Sequence, residues 1–168
     1  MPITIYHIPV CPFCQRLEIL SELKECRDQL SFEVVDITVP RDPKILTLTG
    51  GSTALPVMEI EGGRALKESL VLMGYVDDRF PNSIRRADPY ERAVESLLVT
   101  SEGSFTWSGY ALVMNQDPDE REGLKQAYLA EHAKLNAFLV KHSTGEGPWL
   151  FDCMGWAEAV FTPMFQRF

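Results

Sequence analysis

Cys11-Pro12-Phe13-Cys14 sets two thiols at the two ends of a C-x-x-C motif, after the alternating apolar run Ile3-Thr4-Ile5-Tyr6-His7-Ile8 and before the helix-like run Gln15–Lys24. A C-x-x-C between a strand and a helix is the pattern of a thioredoxin-like redox site. The junction supplies the chemistry. Cys11 falls at the helix N-terminus, where free N–H groups and the helix dipole favour a thiolate over a thiol, and the thiolate is the nucleophile. Pro12 suits the first helical position, where its missing N–H costs nothing. Cys14, one turn later, is expected to face inward. Two other uses compete. Half of a zinc site would need a second ligand pair at suitable spacing, but Cys26 and Cys153 are isolated and His7, His132 and His142 form no pair. Two structural cysteines beside a core would do no chemistry. The strand–helix context favours redox or thiol transfer, with no metal.

Two more segments could complete such a site. Thr53-Ala54-Leu55-Pro56 follows the loop Gly50-Gly51-Ser52 and opens a strand with proline. In thioredoxin-like sheets this proline is cis and faces the catalytic cysteine. The residue before it, here Leu55, then offers its backbone N–H and C=O to a bound peptide as a further strand partner. A trans proline at a strand start is the plain alternative, and the CPFC context favours cis. Glu68-Ser69 precedes the apolar helical run Leu70-Val71-Leu72-Met73. It reads as a serine N-cap with an acid in the first turn. It reads equally as an anion site, with Ser69 taking a carboxylate and Glu68 an ammonium. An α-amino acid carries both charges on one carbon and would suit the pair.

The elements that must position these residues alternate over residues 1–80. Strands are expected at Ile3–Ile8, Phe32–Ile37, Pro56–Ile60 and Arg64–Leu66, with Glu61-Gly62-Gly63 as a hairpin turn. Helices are expected from about Pro12 to Lys24, with Leu17, Leu20 and Leu23 on one stripe, at Lys44–Leu48, and at Glu68–Asp78. The order βαβαββα gives a mixed sheet with a right-handed parallel crossover. Pro81 to Pro89 reads as a linker. Residues 88–168 read as all-helical, with Tyr90–Val113 interrupted by Gly103 and Gly109, Asp117–His142 starting from an Asp117 N-cap, a break at Gly145 to Pro148, and a helix at Ala157–Phe168. His132 and His142 are expected on helix surfaces.

Composition narrows the partners. The chain has 168 residues and a net charge of −8, with 8 Lys/Arg against 12 Asp/Glu in each half. No basic patch exists to neutralise phosphates, which argues against nucleic acid. No apolar run approaches the ~20 residues of a membrane-spanning helix. The N-terminus lacks the pattern of a signal peptide. Four cysteines in such a chain are expected to be reduced, which suggests a cytoplasmic protein.

Strand–CPFC–helix, Ala54-Leu55-Pro56, Lys67-Glu68-Ser69 and Asp88-Pro89-Tyr90-Glu91 together resemble glutathione transferases. The likeness is to the omega class and its bacterial relatives, including glutathione lyases acting on aryl ethers, and it spans the whole chain. It implies an α/β thioredoxin-like glutathione-binding domain at 1–80 followed by an all-α domain at 88–168. It implies glutathione as cosubstrate, with Cys11 catalytic, Phe13 beside the thiol, Leu55 with Pro56 as the backbone clamp, and Glu68 and Ser69 at the γ-glutamyl unit. Family members use a basic residue after the second strand; Arg41 stands there, with Lys44 close by. The second-substrate pocket of the family lies along the first long helix of the all-α domain, which makes Trp107 and Tyr110 candidates, although core packing is the commoner role for such residues. The implied activity is deglutathionylation of a disulfide or of a hydrophobic, aromatic thioether. Alternatives are a dithiol glutaredoxin-like route with Cys14 resolving, or an interaction protein without catalysis. A homodimer is also implied. The chain stops where the sixth helix of the family would run, and so reads as a fragment or a shortened form.

Overall fold

The computed structural model describes residues 3–145 and 147–168. These residues form two compact units, divided between Ile84 and Arg85. Part of the expected break at 145–148, namely Glu146, lies outside the described residues. Among those described, no helix is long and apolar enough to cross a membrane.

The first unit runs β1 (Ile3–His7), α1 (Pro12–Leu23), β2 (Leu30–Val34), α2 (Pro43–Thr49), β3 (Val57–Ile60), β4 (Arg64–Lys67) and α3 (Ser69–Arg79). The sheet order is β2-β1-β3-β4. β1 lies parallel to β2 and antiparallel to β3, and β3 pairs antiparallel with β4. This is the thioredoxin-like βαβαββα arrangement. β2 starts and ends earlier than expected because it is registered on β1, Ile3 opposite Leu30 and His7 opposite Val34. The ladder's last bond is Val35 N–H to His7 C=O at 2.9 Å. Beyond it Asp36 turns back on Thr38, accepting its N–H at 2.8 Å. Gly50 closes α2 at φ 67°, the left-handed region that glycine enters without cost.

α1 buries Leu17, Leu20, Ser21 and, seven residues after Leu17, Lys24. At 100° per residue, Lys24 shares the inward face and Leu23 does not; Leu23 stays 36% exposed. The buried lysine is matched. Its Nζ donates to Asp77 Oδ1 at 3.0 Å and to the Asn82 carbonyl at 3.0 Å. Asp77 also accepts from Ser83 Oγ at 2.6 Å and from Ile84 N–H at 3.1 Å. One carboxylate thus ties the ends of α1 and α3 to the chain leaving the unit.

The second unit holds α4 (Pro89–Thr100), α5 (Glu102–Met114), α6 (Arg121–His142) and α7 (Trp156–Arg167). The expected single helix over Tyr90–Val113 is two. The break falls at Ser101 rather than at either glycine. There the Ser101 N–H and hydroxyl both turn to the Leu98 carbonyl, at 3.0 and 2.6 Å, and compete with the helical ladder. Gly109 serves packing instead: a Cβ on it would lie 2.7 Å from the Phe168 ring. α6 begins four residues after Asp117, whose carboxylate accepts from Asp119 N–H in a local turn at 2.9 Å. Phe105 centres the core, with the rings of His132 and Phe165 at 5.0 and 5.3 Å. His132 is therefore half-buried against Phe105 rather than free on a surface. The start of α7 is held by two acids: Glu95 accepts from Trp156 N–H at 3.0 Å, and Glu158 accepts from Leu150 and Gly155 N–H at 2.7 and 2.9 Å.

Breaking the Lys24–Asp77 pair from one side leaves a charge buried. Lys24→Met should cost about 3–5 kcal/mol in urea unfolding, and the double variant Lys24→Met/Asp77→Leu should recover most of it. Burial alone would raise the Asp77 carboxyl, but the bonds from Ser83, Lys24 and Ile84 outweigh it and hold it below its usual value. Its contribution is therefore present above the unfolded carboxylate pKa of about 4 and lost as pH falls through the lower folded value. The stability gap between wild type and Asp77→Asn should shrink over that acid range.

Candidate active site at the start of the first helix

The strand-to-helix turn fixes where the sulfur of Cys11 stands. Cys11 N–H donates to the Ile8 carbonyl at 2.9 Å, and Cys11 C=O accepts from the N–H groups of Cys14 and Gln15 at 3.0 Å each. The residue is extended, φ −81° and ψ 121°, and occupies the N-cap position of α1 with Pro12 next. Cys11 is partly exposed, while Cys14 is fully buried. Cys14 Sγ takes the Ile8 N–H at 3.5 Å. Its thiol is pushed far above the ordinary range, first by its hydrogen bond with Cys11 and then by burial, with the Ile8 N–H pulling the other way. The proton stays on Cys14. Cys26 is buried and its thiol raised by that burial. Cys153 is exposed in the second unit beside the Arg86 guanidinium, Nη1 to Sγ 3.4 Å.

A cleft of about 210 Å³ lies in the same unit, lined by Phe13, Ala54, Leu55, Pro56, Lys67, Glu68 and Ser69. Three separate segments meet there: the first turn of α1, the loop before β3, and the β4–α3 junction. The Leu55–Pro56 bond is cis. Glu68 sits at φ 72° and ψ 112°, a region that L residues avoid, and its carbonyl receives the first bond of α3 from Leu72 N–H at 3.0 Å. Such a conformation costs on the order of 1–3 kcal/mol and persists where something else requires it. Here it points the chain so that Ser69 opens the helix while Glu68 stays exposed at the rim. A carboxylate-bearing residue at the rim and a hydroxyl with free helix N–H groups beneath match an ammonium and a carboxylate side by side.

The two basic residues after β2 separate in role. Lys44 Nζ donates to Tyr6 Oη at 2.7 Å and pairs with Glu59 at 2.8 Å, while Tyr6 donates to Glu59 at 2.8 Å. These bonds to Glu59 and Tyr6 raise the lysine and lower Glu59, and they tie Lys44 to β1 and β3. Arg41 donates through Nη2 to the Thr53 carbonyl at 2.9 Å. That bond anchors the loop leading to Leu55, while Arg41 Nε and Nη1 are shielded with no acceptor among the described residues. Arg41 does not line the cleft itself. Within the second unit, Trp107 stands 76% exposed on α5 and Tyr110 packs edge-on to Phe168 at 4.9 Å. That unit also has an apolar concavity of about 340 Å³ between Leu98, Leu135, Trp149 and Phe161, but the Glu158 carboxylate at its wall is used by backbone N–H groups.

Sequence reasoning missed Arg16. It is 1% exposed, donates through Nη1 to Ser69 Oγ at 2.9 Å, and lies 5.1 Å from the Phe13 ring centre. An arginine in an amphipathic helix reads as surface, and nothing in its spacing signals otherwise. Among the described residues no group of three or more His, Cys, Asp or Glu could hold a metal ion.

Glu68→Gly should relieve the strained backbone and raise the thermal midpoint, while Glu68→Ala keeps the strain and should not. Both remove the rim carboxylate, so both should weaken binding of a ligand carrying a free α-amino group. Calorimetric titration beside a thermal melt reads the two effects separately.

Residues 5–84 match the glutathione S-transferase N-terminal domain family. The chain is 25% identical to the glutathione S-transferase omega-1 of Sus scrofa over 170 residues, covering 98% of this chain and 66% of that one. It therefore spans just under two thirds of that relative's length. Among solved structures it is similar to glutathione transferase Omega 3C from Trametes versicolor, with a TM-score of 0.81 at 23% identity, over 99% of this chain and 73% of that one. A glutathione S-transferase from Methylobacillus flagellatus, solved with glutathione bound, superposes with a TM-score of 0.70 at 17% identity, over 98% of this chain and 82% of that one. Thioredoxin-like strand order, a C-x-x-C at the head of α1 and similarity along nearly its whole length converge on a likeness to omega-class glutathione transferases, with the first unit matching the glutathione S-transferase N-terminal domain.

Proposed function

We propose that this chain serves a cysteine-type glutathione transferase that removes glutathione from mixed disulfides and thioethers. The observation that carries the reading is the single cleft joining Phe13, two residues after Cys11, to the Leu55–Pro56 backbone and to the Glu68–Ser69 helix start. A γ-glutamyl tripeptide presents its features in that order. Its α-carboxylate and ammonium suit Ser69 and Glu68, its cysteinyl amide suits the free backbone of Leu55, and its sulfur then reaches toward Cys11. Arg41, whose shielded Nε and Nη1 have no acceptor among the described residues, suits the glycyl carboxylate better than Lys44, which Tyr6 and Glu59 occupy.

In the proposed reaction the Cys11 thiolate attacks the glutathionyl sulfur. A Cys11–glutathione disulfide forms and the bond from that sulfur to the acceptor breaks. From a disulfide the leaving group is a thiolate. From an α-keto thioether it is an enolate, which takes a proton to become the ketone. A second glutathione thiolate then attacks the mixed disulfide, leaves as oxidised glutathione and restores Cys11. Two electrons pass from two glutathione sulfurs to the acceptor. The acceptor proposed is hydrophobic and aromatic, on the strength of the family resemblance alone.

The contact between the two sulfurs favours one second reading, a dithiol route in which Cys14 displaces glutathione from Cys11. Burial and retention of its proton count against Cys14 as a nucleophile. Variants separate the routes. Cys11→Ser should abolish turnover of both a glutathionyl disulfide and an aryl-ketone thioether, by at least ~10³-fold as for loss of a nucleophile. Cys14→Ser should keep most of it. Loss of disulfide turnover in Cys14→Ser with glutathione binding intact would favour the dithiol route, and absence of glutathione binding by calorimetry in the wild type would remove both.

A further inference from the structure

His7 and Glu18 form a titratable pair beside the two thiols, and the exchange chemistry does not use it. His7 Nδ1 and Glu18 Oε1 lie 2.7 Å apart, both shielded from solvent, and neither atom has another partner among the described residues. An ionised carboxylate only accepts, so Nδ1 carries the proton between them. We propose that Glu18 is a positioning residue of the C-x-x-C turn: its carboxylate, held beside Cys14 by His7, keeps negative charge from forming on Cys14 and confines disulfide exchange to Cys11. The inference rests on the single-thiol reading above and adds to it what enforces the choice of sulfur.

Glu18 follows Cys14 by four residues, so the two side chains lie one above the other along α1. Cys11 is a further turn away and partly exposed. A charge on Glu18 therefore acts on Cys14 more than on Cys11, and water screens it less because Cys14 is fully buried. The Cys14 thiol is held far above its ordinary range by its hydrogen bond with Cys11 and then by burial, and the Glu18 charge adds to both. His7 fixes the geometry. It is buried at the end of β1, with its ring edge-on to Phe32 of β2 at 5.3 Å. The next residue, Ile8, gives its N–H to Cys14 Sγ at 3.5 Å and its carbonyl to Cys11 N–H at 2.9 Å. One strand end thus holds the carboxylate and both cysteines. The cations on the adjoining elements are engaged elsewhere: Arg16 with Ser69, Lys24 with Asp77, and Arg27 over the Phe32 ring at 3.8 Å. Among the described residues no lysine or arginine pairs with Glu18.

The test uses no glutathione. A Cys153→Ser background removes the exposed thiol outside the site, and the chain is then treated with dithiobisnitrobenzoate. The Cys11 thiolate attacks one sulfur of the reagent, forms an aryl mixed disulfide and releases one coloured thionitrobenzoate. Cys14, once its proton has passed to water, attacks the Cys11 sulfur, closes an internal disulfide and releases the second. Adding Cys14→Ser should leave the first release only. Glu18→Gln should speed the second release relative to the first by roughly three- to tenfold, as for loss of a neighbouring charge worth up to about one pK unit. Glu18→Ala should do the same, while Glu18→Asp, which keeps the charge on the same turn but gives up the contact with His7, should stay near the parent. A ratio unchanged in Glu18→Gln and Glu18→Ala, or raised as much in Glu18→Asp as in Glu18→Ala, would make Glu18 a structural tie to His7 and overturn the proposal. A slower second release in Glu18→Gln would make Glu18 the base for Cys14 and overturn it as well. Absence of any aryl adduct on Cys11 by peptide mass spectrometry would instead remove the single-thiol reading itself.

Discussion

Cys11 is committed to the open end of α1 by its own backbone. Its N–H closes the turn on Ile8 and its carbonyl starts the helix through Cys14 and Gln15, so the side chain is the only part of the residue left to face outward. The thiol of Cys14 beneath it keeps its proton, because its hydrogen bond with Cys11 and its burial both oppose ionisation. One sulfur is thereby partly exposed and its neighbour buried and protonated, although the sequence spells them alike. The strand that delivers the turn, the helix that follows and the loops facing it are arranged around that asymmetry.

Two buried cations on α1 then fix where the rest of the site sits. Arg16 bonds to Ser69 and Lys24 to Asp77. Both pairs of positions are eight residues apart, so α1 and α3 run side by side in the same direction with one polar contact near each end. The first contact places the start of α3 against the first turn of α1; the second anchors the ends of both helices to Asn82, Ser83 and Ile84. Each cation is costly to bury, and each is repaid by directed bonds rather than by attraction alone. The result is a cleft whose walls come from segments more than fifty residues apart in sequence.

Much of this was legible beforehand. The CPFC motif, the Leu55-Pro56 step and the Glu68-Ser69 step are local signals, set by turn and cap chemistry that short sequences state directly. The order of strands and helices in the first unit followed from alternation between periods of two and of three to four. What was not legible depended on tertiary context. The burial of Arg16 and Lys24 needs the acceptors on α3 to be known. The early end of β2 is set by the length of β1, and the helix break at Ser101 by hydroxyls that compete with the ladder where glycine seemed the weaker point. Leu23 was placed inside by its apolarity, and the geometry of the helix put Lys24 there. The strained backbone of Glu68 had no sequence sign, because a residue type other than glycine gives none.

The central claim is that Cys11, and not its neighbours, is the sulfur that exchanges with glutathione. Incubating the wild-type chain with oxidised glutathione and mapping the adduct by peptide mass spectrometry tests it directly. The account predicts a glutathione disulfide on Cys11, with Cys14 and Cys26 unmodified. An adduct on Cys14 or Cys153 with Cys11 left free would contradict it.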